Sequence, residues 1–260
     1  MHPAPHDSPR IRLQANLQGL HERIEAARLR GPHAAEHAEL IVVTKSQEPQ
    51  IYAPLVAAGV RAIGENRVQA ASARKPGAPP ELIWHGIGHL QRNKAALAVA
   101  TFDVFHALDS LRLAERLDAV LADASRSWPV YLQVNAAEDP AKGGWRPTEA
   151  LGALEALASL RHLTPIGFMT MGAQAAQVSD LRRTFRTLRE VRDEAVRRGV
   201  GDTAPSGLSM GMSSDFEIAI EEGATAVRVG RAVFAGVSMS DVSAPGADDG
   251  VGQPNGREPS

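Results

Sequence analysis

Lys45 closes the apolar, β-branched run Ile41-Val42-Val43-Thr44, just ahead of the polar Ser46-Gln47-Glu48 and the breaker Pro49. A short apolar run ended by a breaker reads as a buried strand. Alternation sets Ile41, Val43 and Lys45 on one face, so the ammonium is carried toward whatever the apolar residues also face. A buried, unpaired ammonium is costly or loses its proton, and a neutral lysine amine is a nucleophile that forms Schiff bases with carbonyl compounds. The alternative is a lysine just past the strand end with its head in water. Arg228 is a second charge inside an apolar strand, in Ala226-Val227-Arg228-Val229-Gly230. It requires an acceptor, either a carboxylate such as Glu65 or an atom of a ligand. A third candidate is an anion site: Ser214-Asp215-Phe216-Glu217 matches a capping box opening a helix, with the Ser213 and Ser214 hydroxyls as further donors and Gly230 allowing close backbone approach. The alternative there is an ordinary capped helix and a turn glycine.

Histidines offer less. His85 and His89, in Trp84-His85-Gly86-Ile87-Gly88-His89, share a face if the strand persists, but no nearby carboxylate completes a metal set. The intervening glycines point instead to close backbone approach, and His106 reads as a polar residue in or beside the core. No metal site is expected.

The elements that must position these residues alternate along the chain. A helix over about 11–29, with Ile11, Leu13, Leu17, Leu20, Ile24 and Leu29 at near-helical spacing, precedes the first strand. Seven further strands are predicted around Val60–Gly64, Leu82–Gly88, Asp103–Ala107, Val130–Asn135, Ile166–Thr170, Gly207–Met210 and Ala226–Val229, with helical patterns between them. The longest runs from Ser179 to Arg198. There Leu181, Phe185, Leu188, Val191 and Ala195 form the buried stripe, and the many arginines a solvated face. Eight strands alternating with helices in 260 residues predict an α/β fold, a single (β/α)8 TIM barrel with an additional N-terminal helix. A doubly wound open sheet is the competitor. The expected organisation is a flexible arm over 1–8, a barrel over 9–237 and a disordered tail over 238–260, where Gly, Pro, Asp and Ser dominate. In a barrel the loops after strands seven and eight frequently bind phosphate, and Gly211-Met212-Ser213-Ser214 and Gly230-Arg231 occupy those places.

Composition narrows the function classes. A net charge of −2 without a basic block gives no reason to expect nucleic acid, and no apolar stretch is long enough for a membrane span. Absence of cysteine excludes disulfides and thiolate metal sites and fits a reducing compartment. With no signal-peptide pattern at the start, a cytoplasmic location is expected.

Six motifs occur in order: Ile41-Val42-Val43-Thr44-Lys45, Gly64-Glu65-Asn66-Arg67-Val68-Gln69, Trp84 through Lys94, Gln133-Val134-Asn135, Leu208 through Phe216, and Val227-Arg228-Val229-Gly230. Together, from about Leu40 to Gly236, they resemble the pyridoxal phosphate homeostasis protein family (the YggS/PROSC family). The resemblance implies a barrel like the N-terminal domain of alanine racemase, holding pyridoxal 5′-phosphate (PLP) as a Schiff base on Lys45. It further implies that Ser213, Ser214 and Gly230 hold the phosphate, that Arg228 faces the pyridine nitrogen, and that Asn66 lines the pocket. Lys142, in the loop Glu138 to Gly144, matches the lysine of the family's mobile loop. Arg231 departs from the pattern, standing where the family usually has a small hydroxyl residue; alternation is compatible with its turning outward. Phe168-Met169-Thr170-Met171-Gly172 keeps the Met-Thr pair without the proline that usually follows.

The expected function is a non-catalytic PLP carrier in PLP homeostasis, a monomer with transient contacts to PLP-dependent apo-enzymes. An arginine donating to an unprotonated pyridine nitrogen weakens the electron sink that catalysis needs. One alternative is a small PLP-dependent amino-acid racemase, for which the opposing acid/base group could come only from Tyr52 or Tyr131. Another is a barrel enzyme acting on a phosphorylated sugar through a lysine Schiff base.

Overall fold

A computed structural model describes residues 9–45, 47–172, 176–200 and 205–237; the expected N-terminal arm and C-terminal tail lie outside the described residues. Eight strands, β1 (Glu39–Val43), β2 (Ala62–Glu65), β3 (Ile83–Gly86), β4 (Val104–Leu108), β5 (Trp128–Gln133), β6 (Leu163–Met169), β7 (Gly207–Ser209) and β8 (Ala226–Val229), close into a parallel barrel in sequence order. Pairing of β1 with β8, Glu39 opposite Ala226 through Val42 opposite Val229, excludes the open sheet. The intervening helices are α2 (Tyr52–Ala57), α3 (Val68–Arg74), α4 (Ala95–Thr101), α5 (Leu111–Asp123), α6 (Ala150–Leu157), α7 (Val178–Arg198) and α8 (Phe216–Glu221). The additional helix α1 (Pro9–Arg30) lies against α8, where Arg23 and Arg30 pair with Glu217 and Arg23 covers the Phe216 ring. No helix of the described residues is long and apolar enough to cross a membrane.

The main core lies between barrel and helices, as the alternation of the strands requires: Val42, Ile63, Trp84, Phe105 and Trp128 face outward into it. The α7 stripe is buried as its spacing predicts, and its arginines face solvent except Arg189, which is buried against Glu222. The α1 stripe is shorter than its sequence pattern. It runs from Leu13 to Ala27, and Ile11 and Leu29 are exposed because the partner surface ends before they reach it.

Inside the barrel the filling is not uniformly apolar. Ile41, Ala62 and Ala226 make a small apolar cluster, and a polar layer accompanies it. His85 Nδ1 and His106 Nε2 are 2.9 Å apart, His106 Nδ1 is 2.8 Å from Ser209 Oγ, and Ser209 Oγ accepts from Arg228 at 2.5 Å. The Tyr131 ring stacks on His106. Burial pushes His85 down to about 4 and His106 well below the ordinary histidine value. His85 therefore binds its proton more weakly folded than unfolded, so its contribution to stability is full above pH 6.5 and is lost as pH falls from 6.5 through about 4. At ~1.4 kcal/mol per pH unit the loss amounts to about 3 kcal/mol. Urea unfolding should accordingly show stability falling across that window more steeply in the wild type than in His85→Gln, and equal slopes would mean that His85 titrates normally.

Candidate functional site

β1 ends at Val43, two residues earlier than the apolar run suggests, so Lys45 sits in a turn beyond the strand and is exposed rather than buried. It nevertheless lines a cavity of about 820 Å³ at the carboxyl ends of the strands, together with Lys142, Ser213, Ser214, Arg228, Gly230 and Arg231. That is the end of a barrel where loops carry chemistry. Of the residues that the resemblance assigns to the PLP site, Asn66 stays apart: it follows β2, is exposed, and does not line the cavity.

Arg228 is 2% exposed. It pairs with neither Glu65 nor any other carboxylate among the described residues. Its guanidinium donates to Ser209 Oγ and, at 2.8 Å, to the Thr170 carbonyl. Burial lowers it to about 10, opposed by the charge of Asp215, so it remains a cation at neutral pH. Glu65 is occupied elsewhere, accepting from Thr44 Oγ1 at 2.6 Å and pairing with Arg74 at 3.2 Å. A buried cation with only neutral acceptors leaves the cavity electrostatically incomplete.

The loop after β7 differs from the expected capping box. The N-cap of α8 is Asp215, not Ser214, and the Asp215 carboxylate turns back to accept from the Met212 N–H at 2.5 Å. Gly211 makes this reversal possible: its φ is +94°, and a Cβ there would lie 2.6 Å from that of Ala219. Because Asp215 closes the turn, the Ser213 and Ser214 hydroxyls are not used in capping. Ser213 Oγ accepts from the Gly230 N–H at 3.3 Å, tying the two loops together. Gly230 itself is packed against β1, where a Cβ would meet the Val43 carbonyl at 3.0 Å. Arg231 does not turn away: it is exposed and lines the cavity beside these serines.

Across the mouth, the loop after β5 is braced by the Gln133 and Asn135 side chains. Gln133 donates to the Gly143 carbonyl at 2.8 Å, and Asn135 both donates to the Asp139 carbonyl and accepts from its N–H. Lys142 then reaches over to donate to the carbonyls of Met171 and Gly172, at 3.1 and 2.7 Å. Partial burial lowers its pKa, with Asp139 and Asp215 opposing. His85 and His89 do not share a site. His85 is turned into the barrel toward His106, whereas His89 is exposed and pairs with Asp109. Sequence reasoning passed over Ser209, Thr170 and Asp215; the signal for Ser209 was a hydroxyl between Leu208 and Met210 in an otherwise apolar strand.

The family model of the alanine racemase N-terminal domain matches residues 15–237. A pyridoxal phosphate homeostasis protein of Aquifex aeolicus is 35% identical over 214 residues, 82% of this chain and 93% of the relative. Its counterpart in Escherichia coli is 32% identical over 225 residues, 84% and 94% of the two chains. The structure of PipY from Synechococcus elongatus with PLP bound is 33% identical, covering 86% of this chain and all of that one, with a TM-score of 0.76. Alanine racemase of Clostridium difficile, at 14% identity and a TM-score of 0.69, shares the fold over 59% of its own length. On these matches, which span the barrel and every loop that builds the cavity, the chain belongs to the alanine racemase N-terminal domain family and, within it, to the pyridoxal phosphate homeostasis proteins.

Proposed function

We propose that this protein binds PLP, attached through the Lys45 amine, and serves to hold and release the cofactor rather than to use it in catalysis. The observation that carries the reading is the buried Arg228 cation, without a carboxylate partner, lining the same cavity as Lys45, Ser213 and Ser214. PLP supplies an aldehyde for a lysine amine, a phosphate dianion, and a ring nitrogen that accepts a hydrogen bond. The residues present fit each part. Lys45 offers the amine, the Ser213 and Ser214 hydroxyls and Gly230 the phosphate seat, and Arg231 a further cation beside it. Arg228 would donate to the ring nitrogen. PLP bound to PipY, a relative that matches over its entire length, supports the same choice.

Lys142 is the proposed transfer residue. Its amine lines the cavity, where among the described residues two loop carbonyls and a more distant Asp139 hold it, and it would bond to the cofactor's aldehyde carbon as the Lys45 amine leaves. Apo-enzymes that need PLP are the proposed recipients.

Against a racemase stands the shortage of acid/base groups. Tyr52 is buried beside Trp84, and Tyr131 is stacked inside the barrel with burial pushing it up to about 12; neither lines the cavity. Arg228, being already protonated and hydrogen-bonded through two of its N–H groups, also disfavours a protonated ring nitrogen, and thus a strong electron sink.

Borohydride reduction followed by mass spectrometry should place the covalent PLP adduct on Lys45 and abolish it in Lys45→Ala with the fold retained. Lys142→Ala should leave that occupancy nearly intact while slowing delivery to an apo-enzyme. An adduct found mainly on Lys94 or Lys142 would sink the assignment.

Unphosphorylated pyridoxal should bind far more weakly than PLP, and Ser213→Ala with Ser214→Ala should narrow the gap by roughly tenfold or more, the worth of one to two charge-assisted hydrogen bonds. If pyridoxal and PLP bind alike, the phosphate seat is elsewhere.

Incubation of the loaded protein with L-alanine in deuterated water should give at most slow α-deuteration with retained configuration, since loss of one positioned acid or base commonly costs about 10²–10⁴-fold in rate. Rapid D-alanine formation that vanishes in Lys45→Ala would favour the racemase.

A further inference from the structure

Inside the barrel Arg228, Ser209, His106 and His85 form a sequence of contacts whose direction is determined at one end. A guanidinium can only donate. Ser209 Oγ therefore accepts from Arg228 at 2.5 Å, and the Ser209 hydrogen is free to go to His106 Nδ1, 2.8 Å away. With Nδ1 accepting, the neutral His106 ring carries its hydrogen on Nε2 and donates it to His85 Nδ1 at 2.9 Å. The His85 hydrogen is then also on Nε2, an atom that is buried and meets no partner among the described residues. All four residues are nearly inaccessible, at 0% for Ser209 and His106, 2% for Arg228 and 4% for His85. An end group without a partner is a cost that native interiors rarely carry. It is carried here at the terminus of a chain whose other end lines the cavity.

We propose that Ser209 and His106 are positioning residues for Arg228: with His85 they form a one-way chain of neutral hydrogen bonds, each turning a lone pair toward the guanidinium, which holds it as an oriented cation without a carboxylate. The physical consequence is specific. A carboxylate would take two N–H groups and cancel the charge; Ser209 Oγ and the Thr170 carbonyl also take two, but as neutral acceptors they leave the charge in place. The remaining N–H groups and the full positive charge are left for a neutral acceptor in the cavity. The buried histidines remain uncharged at neutral pH, which the chain requires, since an imidazolium at His106 has no lone pair for Ser209. Lone-pair alignment along successive hydrogen bonds strengthens each of them in a low-dielectric interior.

The inference rests on the PLP reading for the identity of the acceptor, the ring nitrogen, but not for the chain itself. Long-range proton–nitrogen NMR on the unloaded, nitrogen-15-labelled protein should show His85 and His106 both as neutral Nε2–H tautomers near pH 7. An Nδ1–H tautomer or an imidazolium at either position would overturn the chain whether or not PLP binds. Binding then tests the positioning role. Ser209→Ala, and His106→Phe as a second variant that keeps the ring stack on Tyr131, should each weaken PLP about tenfold, roughly the worth of one hydrogen bond. Neither should alter by more than about twofold the affinity for 1-deaza-PLP, which lacks the ring nitrogen. Equal losses for the two compounds would show that the variants act through packing alone and would refute the positioning role. Failure of the wild type to distinguish PLP from its deaza analogue would refute the nitrogen contact, leaving the tautomer measurement to decide the chain.

Discussion

Removing a guanidinium from water costs several kcal/mol unless acceptors replace its hydration, and interiors usually meet that cost with a carboxylate. Arg228, in the last strand of a closed barrel, has a hydroxyl and a carbonyl instead. The compensation is therefore spread through the interior: over Ser209 on β7, the Thr170 carbonyl just beyond β6, His106 on β4 and His85 on β3. Only a barrel makes this possible. In an open sheet, β3 and β7 would be separated by the width of the intervening strands, whereas closure brings their inward side chains within hydrogen-bond reach across the lumen.

Closure also brings the segment that carries Lys45 beside the one that carries Arg228. Register pairs Ile41 with Arg228, so the chain leaving β1 emerges beside the chain leaving β8. Lys45 and Gly230-Arg231 are consequently neighbours on one rim, and Gly230 lies so near the Val43 carbonyl that a Cβ would press on it. The adjacent turn after β7 is fastened to this corner by Ser213 and by the Asp215 contact to Met212. Strand register thus sets the relative positions of the segments that carry the lysine, the serines and the arginine.

The fold was legible because its signals are repetitive. Apolar β-branched runs alternating with helical stripes identify a barrel eight times over, and the stripe of α7 is buried residue for residue as its spacing requires. The site was legible only where a residue violates its local pattern. Arg228 and Lys45 stand out because each is a charge in an apolar run. Ser209 and Asp215 do not stand out, because a small hydroxyl or a cap-like aspartate is locally ordinary, and their roles depend on partners over 100 residues away or on a reversal at Gly211. The capping box was misread for the same reason: the four-residue pattern is real, but Asp215 finds the Met212 N–H first and so starts the helix one residue late. Strand ends share this weakness. The apolar run to Thr44 gives no sign that pairing ceases at Val43, and that difference moves Lys45 from a buried strand end to an exposed turn.

Exposure of Lys45 alters the case for its reactivity. Lys45 stands in an open turn rather than within a buried strand. What the site provides instead is position and charge. Lys45, Lys142, Arg228 and Arg231 line one cavity with, among the described residues, a single carboxylate, Asp215, which is already engaged with Met212. Such a cavity would attract an anionic carbonyl compound and raise its concentration beside the Lys45 amine. On the proposed reading, the phosphate seat and Arg228 would capture the cofactor, and release would require, besides loss of those contacts, that water or a second amine such as that of Lys142 take the aldehyde carbon from the Lys45 nitrogen. An exposed lysine in a cationic cavity fits the proposed reading, in which the cofactor is held and then released.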